Sequence, residues 1–232
     1  MIKQFGNRGL VERFHSLPTA AALANSGQLD ALIALEQIGT RRTFAHGAEI
    51  YAQGGHADCW FKVISGTVRL CKLMADGRRH IAEFFHVGDC FGLDGADERF
   101  CAAEAVEDVT VMRFPKDATE RLVAARPELA MRLCNLTLRN LSHAQTRMML
   151  LGRMTVVERV ASFLLELAER RDVRRFLDLP MTRTDIGDYL GLTTETVCRA
   201  LTTFKRDGVI AIPSTHRIEI CDREALEALT EA

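Results

Sequence analysis

No run of about eighteen apolar residues occurs in this 232-residue chain, so the sequence offers no transmembrane helix. Its opening stretch, MIKQFGNRGL, lacks the apolar core of a signal peptide, and the expectation is a soluble, cytoplasmic protein with no membrane partner. Net charge is −1, which excludes a generally basic nucleic-acid coat; any DNA surface has to be a local patch. The seven cysteines are scattered and none precedes Cys59. No C-x-x-C or clustered Cys/His set offers zinc or iron–sulfur ligation, and scattered thiols in a reducing compartment read as small buried hydrophobes. The seven histidines form no C-x-x-C-H haem signature. A phosphate-binding glycine loop, G-x-S-x-G and H-E-x-x-H are all missing, so no enzyme is expected and neither metal nor cofactor is assigned.

What is present changes texture along the chain. Residues 1–17 read as a loose arm. Leu23, Leu29, Leu32, Ile33 and Leu35 suggest short helices between Thr19 and Ile38. From Thr40 to about Phe114, short β-type runs (FKVI, TVRLCKL, RRHIAEFF) alternate with glycine turns, and Gly66, Gly77 and Gly88 recur every eleven residues. That interval predicts an all-β sandwich or barrel, with ADGR as a hairpin turn. Pro127 then opens a long helix. Along it Met131, Cys134, Leu138, Leu141, Gln145, Met148 and Gly152 step by three and four alternately, a heptad seam. Such a seam fits either a dimer or packing on the protein's own core. After a hinge near Leu151–Thr155, VVERVASFLLELAERR predicts an amphipathic helix with Val160, Phe163, Leu164 and Leu167 as its stripe.

The most specific stretch runs from Met181 to Arg206. It predicts two short helices around Gly191, which takes the positive φ of a sharp turn without a Cβ penalty. Thr182 or Thr184 can cap the first helix and Thr193 the second. Ile186 and Leu190, then Val197 and Leu201, lie at i and i+4, and Gly187 is small enough to let the helices cross closely. This is the pattern of a helix-turn-helix, whose second helix enters the major groove by its N-terminal residues. Thr194, Glu195, Cys198 and Arg199 are left facing out there. Arg199 can donate twice to guanine O6 and N7; Glu195 can accept from cytosine N4 and, at i and i+4, hold the Arg199 guanidinium. The bland alternative is a helical hairpin with an exposed ion pair. RRFLDLP supplies a short strand before the motif. GVIAIPSTHRIEIC supplies a two-stranded wing after it, with His216 and Arg217 at the tip, and residues 222–232 a short helix.

DIGDYLGLTTETVCRALTTF, preceded by MTR, resembles the recognition motif of the CRP/FNR transcription regulators. It is most similar to the FNR and FixK branches, whose E-x-x-[ST]-R reading set matches Glu195, Cys198 and Arg199, with Cys198 where serine is usual. The glycines and Trp60–Phe61 of the stretch up to Gly66, with GDCFG at Gly88–Gly92, resemble that family's cyclic-nucleotide-binding jelly roll. The resemblance implies an α+β fold: a cyclic-nucleotide-binding-like β-roll with N-terminal helices over 1–126, a dimerisation helix over 127–153, and a winged helix-turn-helix over 154–232. It implies a homodimeric activator that contacts RNA polymerase. Its partner would be double-stranded DNA carrying a TTGAT-N4-ATCAA-like palindrome, under oxygen-limitation or redox control.

Bases would be read by Thr194, Glu195, Cys198 and Arg199, and phosphates held by Thr182, Arg183, Thr193 and Thr196. The dimer would form through Met131, Cys134, Leu138, Leu141, Gln145 and Met148. Members that bind cAMP use a glutamate just after the G-D-x-[FI]-G segment and an Arg–Ser pair; here Leu93 follows Gly92 and the pair reads Arg99–Phe100. Arg99 alone could hold an anion, but it reads rather as a surface arginine, with Phe100 as a buried apolar residue, and cAMP is not expected. The cysteine cluster that FNR carries near its N-terminus is missing. Cys198, near a helix N-terminus and beside Arg199, is a candidate redox switch, with an unreactive thiol in place of serine as the alternative. The alternatives are a ligand-dependent sensor of the same fold, through haem, a gas or a small molecule, and a signalling module that does not bind DNA.

Overall fold

The computed structural model describes residues 33–230, so the helices expected before residue 33 lie outside it, and a helical segment at 33–38 places Leu35 in the core. Eight strands follow: β1 (Thr40–Phe44), β2 (Glu49–Tyr51), β3 (Cys59–Ser65), β4 (Val68–Leu73), β5 (Arg79–Phe85), β6 (Cys90–Phe91), β7 (Ala102–Ala105) and β8 (Val109–Pro115). They pair antiparallel in two four-stranded sheets, β1-β8-β3-β6 and β2-β7-β4-β5. Alternate residues point inward, so Phe61 and Val63 on β3 and Val109 and Val111 on β8 meet Val68, Phe85, Ala103 and Ala105 from the other sheet. The turn at Gly66 admits no side chain: its φ is +80°, and a Cβ there would lie 2.5 Å from the Asp108 carbonyl oxygen.

Two helices close the roll, α1 (Lys116–Ala125) and the long α2 (Pro127–Arg153). Trp60 stacks on Phe114 at 4.1 Å and donates its indole N–H to Thr119 on α1 (3.1 Å), while Leu129 anchors the start of α2 in the same cluster. Beyond Leu129 the heptad residues turn away. Met131, Leu138, Leu141 and Met148 are each more than half exposed, and Cys134 and Gln145 are exposed with them. Among the described residues the stripe does not pack on the protein's own core.

The chain breaks at Met154, and α3 (Val156–Arg170) starts on a Thr155–Glu158 capping box. Its stripe of Val160, Phe163, Leu164 and Leu167 is buried. There follow β9 (Phe176–Asp178), α4 (Arg183–Leu190), α5 (Thr194–Arg206), β10 (Ile210–Ser214), β11 (Arg217–Ile220) and α6 (Arg223–Ala228). The last three strands form one antiparallel sheet, with the β10–β11 hairpin as the wing. The core around α3, α4 and α5 is continuous with Cys71, Ile81 and Phe84 of the roll, so the two bodies share apolar contacts. Strands and helices are segregated along the chain, an α+β architecture. Of the seven cysteines, Cys59, Cys71, Cys90 and Cys101 are buried as small hydrophobes, but Cys134, Cys198 and Cys221 are exposed, contrary to the general expectation. No helix among the described residues is long and apolar enough to cross a membrane.

Candidate nucleic-acid interface

Helix α4 starts on a closed capping box: the Thr182 hydroxyl accepts from Asp185 N (3.0 Å) and the Asp185 carboxylate accepts from Thr182 N (3.1 Å). It stops at Gly191, whose φ is 65° and ψ 38°. Gly187 makes the crossing possible, since a Cβ there would sit 2.7 Å from the Leu192 carbonyl oxygen. Helix α5 then starts on Thr193, whose hydroxyl accepts from Thr196 N (3.2 Å). Val197, Ala200, Leu201 and Phe204 bury one face of α5. Glu195, Cys198 and Arg199 lie exposed on the other. Lys205 and Arg206 in the last turn suit the negative end of the helix dipole.

Two details differ from the sequence pattern. Thr194 is half-buried, and its hydroxyl donates to Thr184 Oγ1 at 3.2 Å, so it is less free than the other three. Among the described residues no ion pair within 4.0 Å joins Glu195 to Arg199. The Glu195 carboxyl is instead held below its ordinary range first by its own backbone N–H and the Thr193 hydroxyl, with the Arg199 charge a smaller cause. Among the described residues the Arg199 guanidinium finds no hydrogen-bond or ion-pair partner. Thr182 and Thr193 are exposed; Thr196 is half-buried, its hydroxyl 3.0 Å from that of Thr193. Burial pushes the Arg183 guanidinium below its usual range, and its Nη1 is buried without a hydrogen-bond partner.

The local charge balance favours an anionic partner. From Arg174 to Arg217 there are seven Lys/Arg against five Asp/Glu. Asp185 and Asp188 turn onto Arg69 and Arg79 of the roll, Asp178 pairs with Arg217 and Asp207 with Arg206. Among the described residues Glu195 is thus the acid left without an ion pair on the exposed face of α5. At the wing, His216 Nδ1 lies 3.1 Å from the Leu179 carbonyl oxygen and the Arg217 guanidinium 5.0 Å over the Phe176 ring, so both side chains already have partners. Sequence reasoning missed Arg159. Its guanidinium donates to Leu151 O (2.8 Å), Met154 O (2.9 Å) and Leu190 O (3.1 Å), tying the end of α2 and the end of α4 to α3. Only its place in the first turns of a predicted helix was visible.

In the roll, Arg99 overturns its reading as a surface residue. It is 2% exposed, donates to Gly92 O (2.8 Å), Asp94 (2.6 Å) and Cys59 O, and lies 4.2 Å over the Tyr51 ring. Asp94 and two carbonyls compensate its charge and hold the guanidinium inside the roll. Phe100 is also the reverse of its expectation: it is 68% exposed, with Lys72 Nζ 3.2 Å over its ring. Among the described residues no group of three or more His, Cys, Asp or Glu side chains is placed to hold a metal ion.

Comparison with known proteins gives two family matches, a Crp-like helix-turn-helix domain over residues 158–229 and a cyclic nucleotide-binding domain over residues 41–126. The nitrogen fixation regulation protein FixK of Azorhizobium caulinodans is 41% identical over 197 residues, 83% of this chain and 79% of that one. FixK of Bradyrhizobium diazoefficiens is 38% identical over 216 residues, 91% of each chain. The solved structure of FixK2 from Bradyrhizobium japonicum matches with a TM-score of 0.81 at 39% identity, covering 84% of this chain and 98% of that one.

Proposed function

We propose, from the premise that the chain belongs to the CRP/FNR family, is FixK-like and is a DNA-binding transcription activator, that it reads a TTGAT-N4-ATCAA-like palindrome as a homodimer. The observation that carries this reading is the free face of α5, where Glu195, Cys198 and Arg199 stand exposed over a buried apolar face. Arg199 and Glu195 take the inner G·C pair, and Thr194 adds a smaller contact. Thr182, Arg183, Thr193 and Thr196 hold phosphates and set register without reading sequence. The exposed seam of Met131, Cys134, Leu138, Leu141, Gln145 and Met148 supports pairing of α2 with a second copy. The two reading helices then meet half-sites about 34 Å apart.

In this division residues 1–126 form the sensor-like roll, 127–153 the dimerisation helix and 154–232 the DNA domain. The protein works in the cytoplasm, contacts RNA polymerase, and serves genes under oxygen-limitation or redox control. Cys198 supplies the redox link: two equivalents of peroxide, each reduced to water, take its thiol to a sulfinate, which sets a negative charge against the DNA.

The test is fluorescence anisotropy at fixed salt on the palindrome and on a control with both inner G·C pairs replaced. Tight binding lost in the control is expected, and Glu195→Ala or Arg199→Ala should each lose about 1–3 kcal/mol per half-site. Equal weak binding to both duplexes would overturn the reading. Peroxide should weaken the wild type and spare Cys198→Ser; equal loss in both would remove the redox link.

A further inference from the structure

Three arginines from the long helix and the roll hold the first helix of the helix-turn-helix at both ends. Arg147 on α2 is 9% exposed. Its guanidinium donates to Tyr189 O near the end of α4 (2.5 Å), to Ile81 O on β5 (2.7 Å) and to Ala82 O, and lies 3.4 Å over the Tyr189 ring. At the other end of α4, Arg69 on β4 and Arg79 on β5 both reach Asp185, at 3.1 and 2.5 Å, and Arg79 also reaches Asp188, one turn further along the helix, at 2.8 Å. The Asp185 side chain is nearly buried and simultaneously closes the capping box of α4. A carboxylate in the first turn and a main-chain carbonyl in the last turn move only when the helix moves. The contacts therefore constrain the orientation of α4, not merely its side chains.

Arg147 also sits between Gln145 and Met148, two positions of the exposed seam. Its backbone is placed by whatever α2 pairs with, while its side chain reaches the roll and the reading unit. We propose that Arg147, Arg69 and Arg79 are positioning residues that fix the angle between α2 and the helix-turn-helix, and so set the half-site spacing the dimer accepts. This rests on the dimeric DNA reading proposed above.

The geometry is sensitive enough for that role. An eight-residue helix is about 12 Å long, so a tilt of about 15° moves one end by about 3 Å. That is close to the base-pair rise of about 3.4 Å. A two-fold axis moves the two reading helices in opposite senses, which doubles the change in their separation. Glu195 and Arg199 travel with the unit, so loosening the clamp relaxes spacing while leaving base choice intact.

The experiment uses the full chain and four duplexes: palindromes with three, four or five base pairs between the half-sites, and the four-base-pair palindrome with its inner G·C pairs replaced. The variants are Arg147→Met and the double variant Arg69→Gln/Arg79→Gln, which leaves α2 and the DNA domain unaltered in sequence. The wild type should prefer the four-base-pair spacer by about tenfold or more, the scale of a mismatched site. Each variant should accept the three spacers to within about threefold of one another while still rejecting the replaced G·C pairs by about tenfold. Should Arg147→Met fail to fold, the double variant decides alone. Retained spacer preference in a folded variant would overturn the proposal, as would a loss of spacer and base preference together, which marks a general loss of stability. A wild type that binds all four duplexes alike would overturn the DNA reading itself, before any variant is compared.

Discussion

Replacing Gly187 by alanine adds one methyl group where α4 and α5 cross. The new Cβ would lie 2.7 Å from Leu192 O and 3.5 Å from both Thr193 C and Thr194 N. All three are backbone atoms, so no rotamer change relieves the overlap. The Gly187 carbonyl also accepts from Leu192 N (2.9 Å) and from the Gly191 N–H, so helices that separate to admit the methyl stretch the bonds that form the turn. The alanine itself gains about 0.5–1 kcal/mol of helix propensity. Against this stand an overpacking cost of about 1–3 kcal/mol and about 1 kcal/mol for each turn hydrogen bond that is weakened. The net expectation is a loss of about 1–3 kcal/mol.

Urea denaturation followed by far-ultraviolet circular dichroism measures that loss. Gly95→Ala is the control: its Cβ would meet nothing within 4 Å and its backbone is not left-handed, so it should stay within about 0.5 kcal/mol of the wild type. Thr193 and Thr194 open the reading helix, so Gly187→Ala should also lose DNA affinity beyond what its unfolded fraction explains. A variant as stable and as tight-binding as the wild type would refute this account of the crossing.

Two further predictions concern the roll. Arg99→Met removes a buried cation that satisfies Gly92 O, Cys59 O and Asp94 together, and should destabilise the chain by about 3–5 kcal/mol; a melt of the Trp60 fluorescence unchanged from the wild type would contradict the buried role. Burial, reinforced by the charges of Arg171 and Arg170, pushes the His86 imidazole down to about 3. Its unfolded value is about 6.5, so the unfolded chain takes the proton first, and stability present above that pH falls by up to about 1.4 kcal/mol per unit as pH drops toward 3. His86→Asn should flatten the change in urea stability between pH 7 and 5; an unaltered slope would acquit His86.

The features legible in the sequence are those with a local period or a local steric demand. The strands of the roll alternate, α3 carries a stripe at helical spacing, and Gly191 is required by a positive φ three residues before the next helix begins. Arg99 was misread because a missing serine partner suggested that the arginine had no reason to stay inside. Its reason is Asp94, a residue outside the expected pair, and this could not be inferred from the Arg99–Phe100 step itself. Nothing in the Arg99–Phe100 step says that Lys72 on β4 will lie over the Phe100 ring and leave it exposed.

The arginines that hold the reading unit were illegible for a different reason. The end of a helix leaves carbonyls without partners inside the helix. On α4, the Gly191 and Leu192 N–H groups serve Gly187, while Tyr189 O and Leu190 O are met from outside by Arg147 and Arg159. A guanidinium suits this task because its five donors can reach carbonyls of two or three elements at once. Arg159 belongs to the same body as α4, whereas Arg147 belongs to the long helix and also holds β5. The sequence pattern of a helix-turn-helix therefore leaves two carbonyls at its turn, Tyr189 O and Leu190 O, to be satisfied from elsewhere, the first of them from the long helix. That dependence ties the placement of α4 to contacts from α2 and β5, while the exposed side chains of α5 belong to the motif alone.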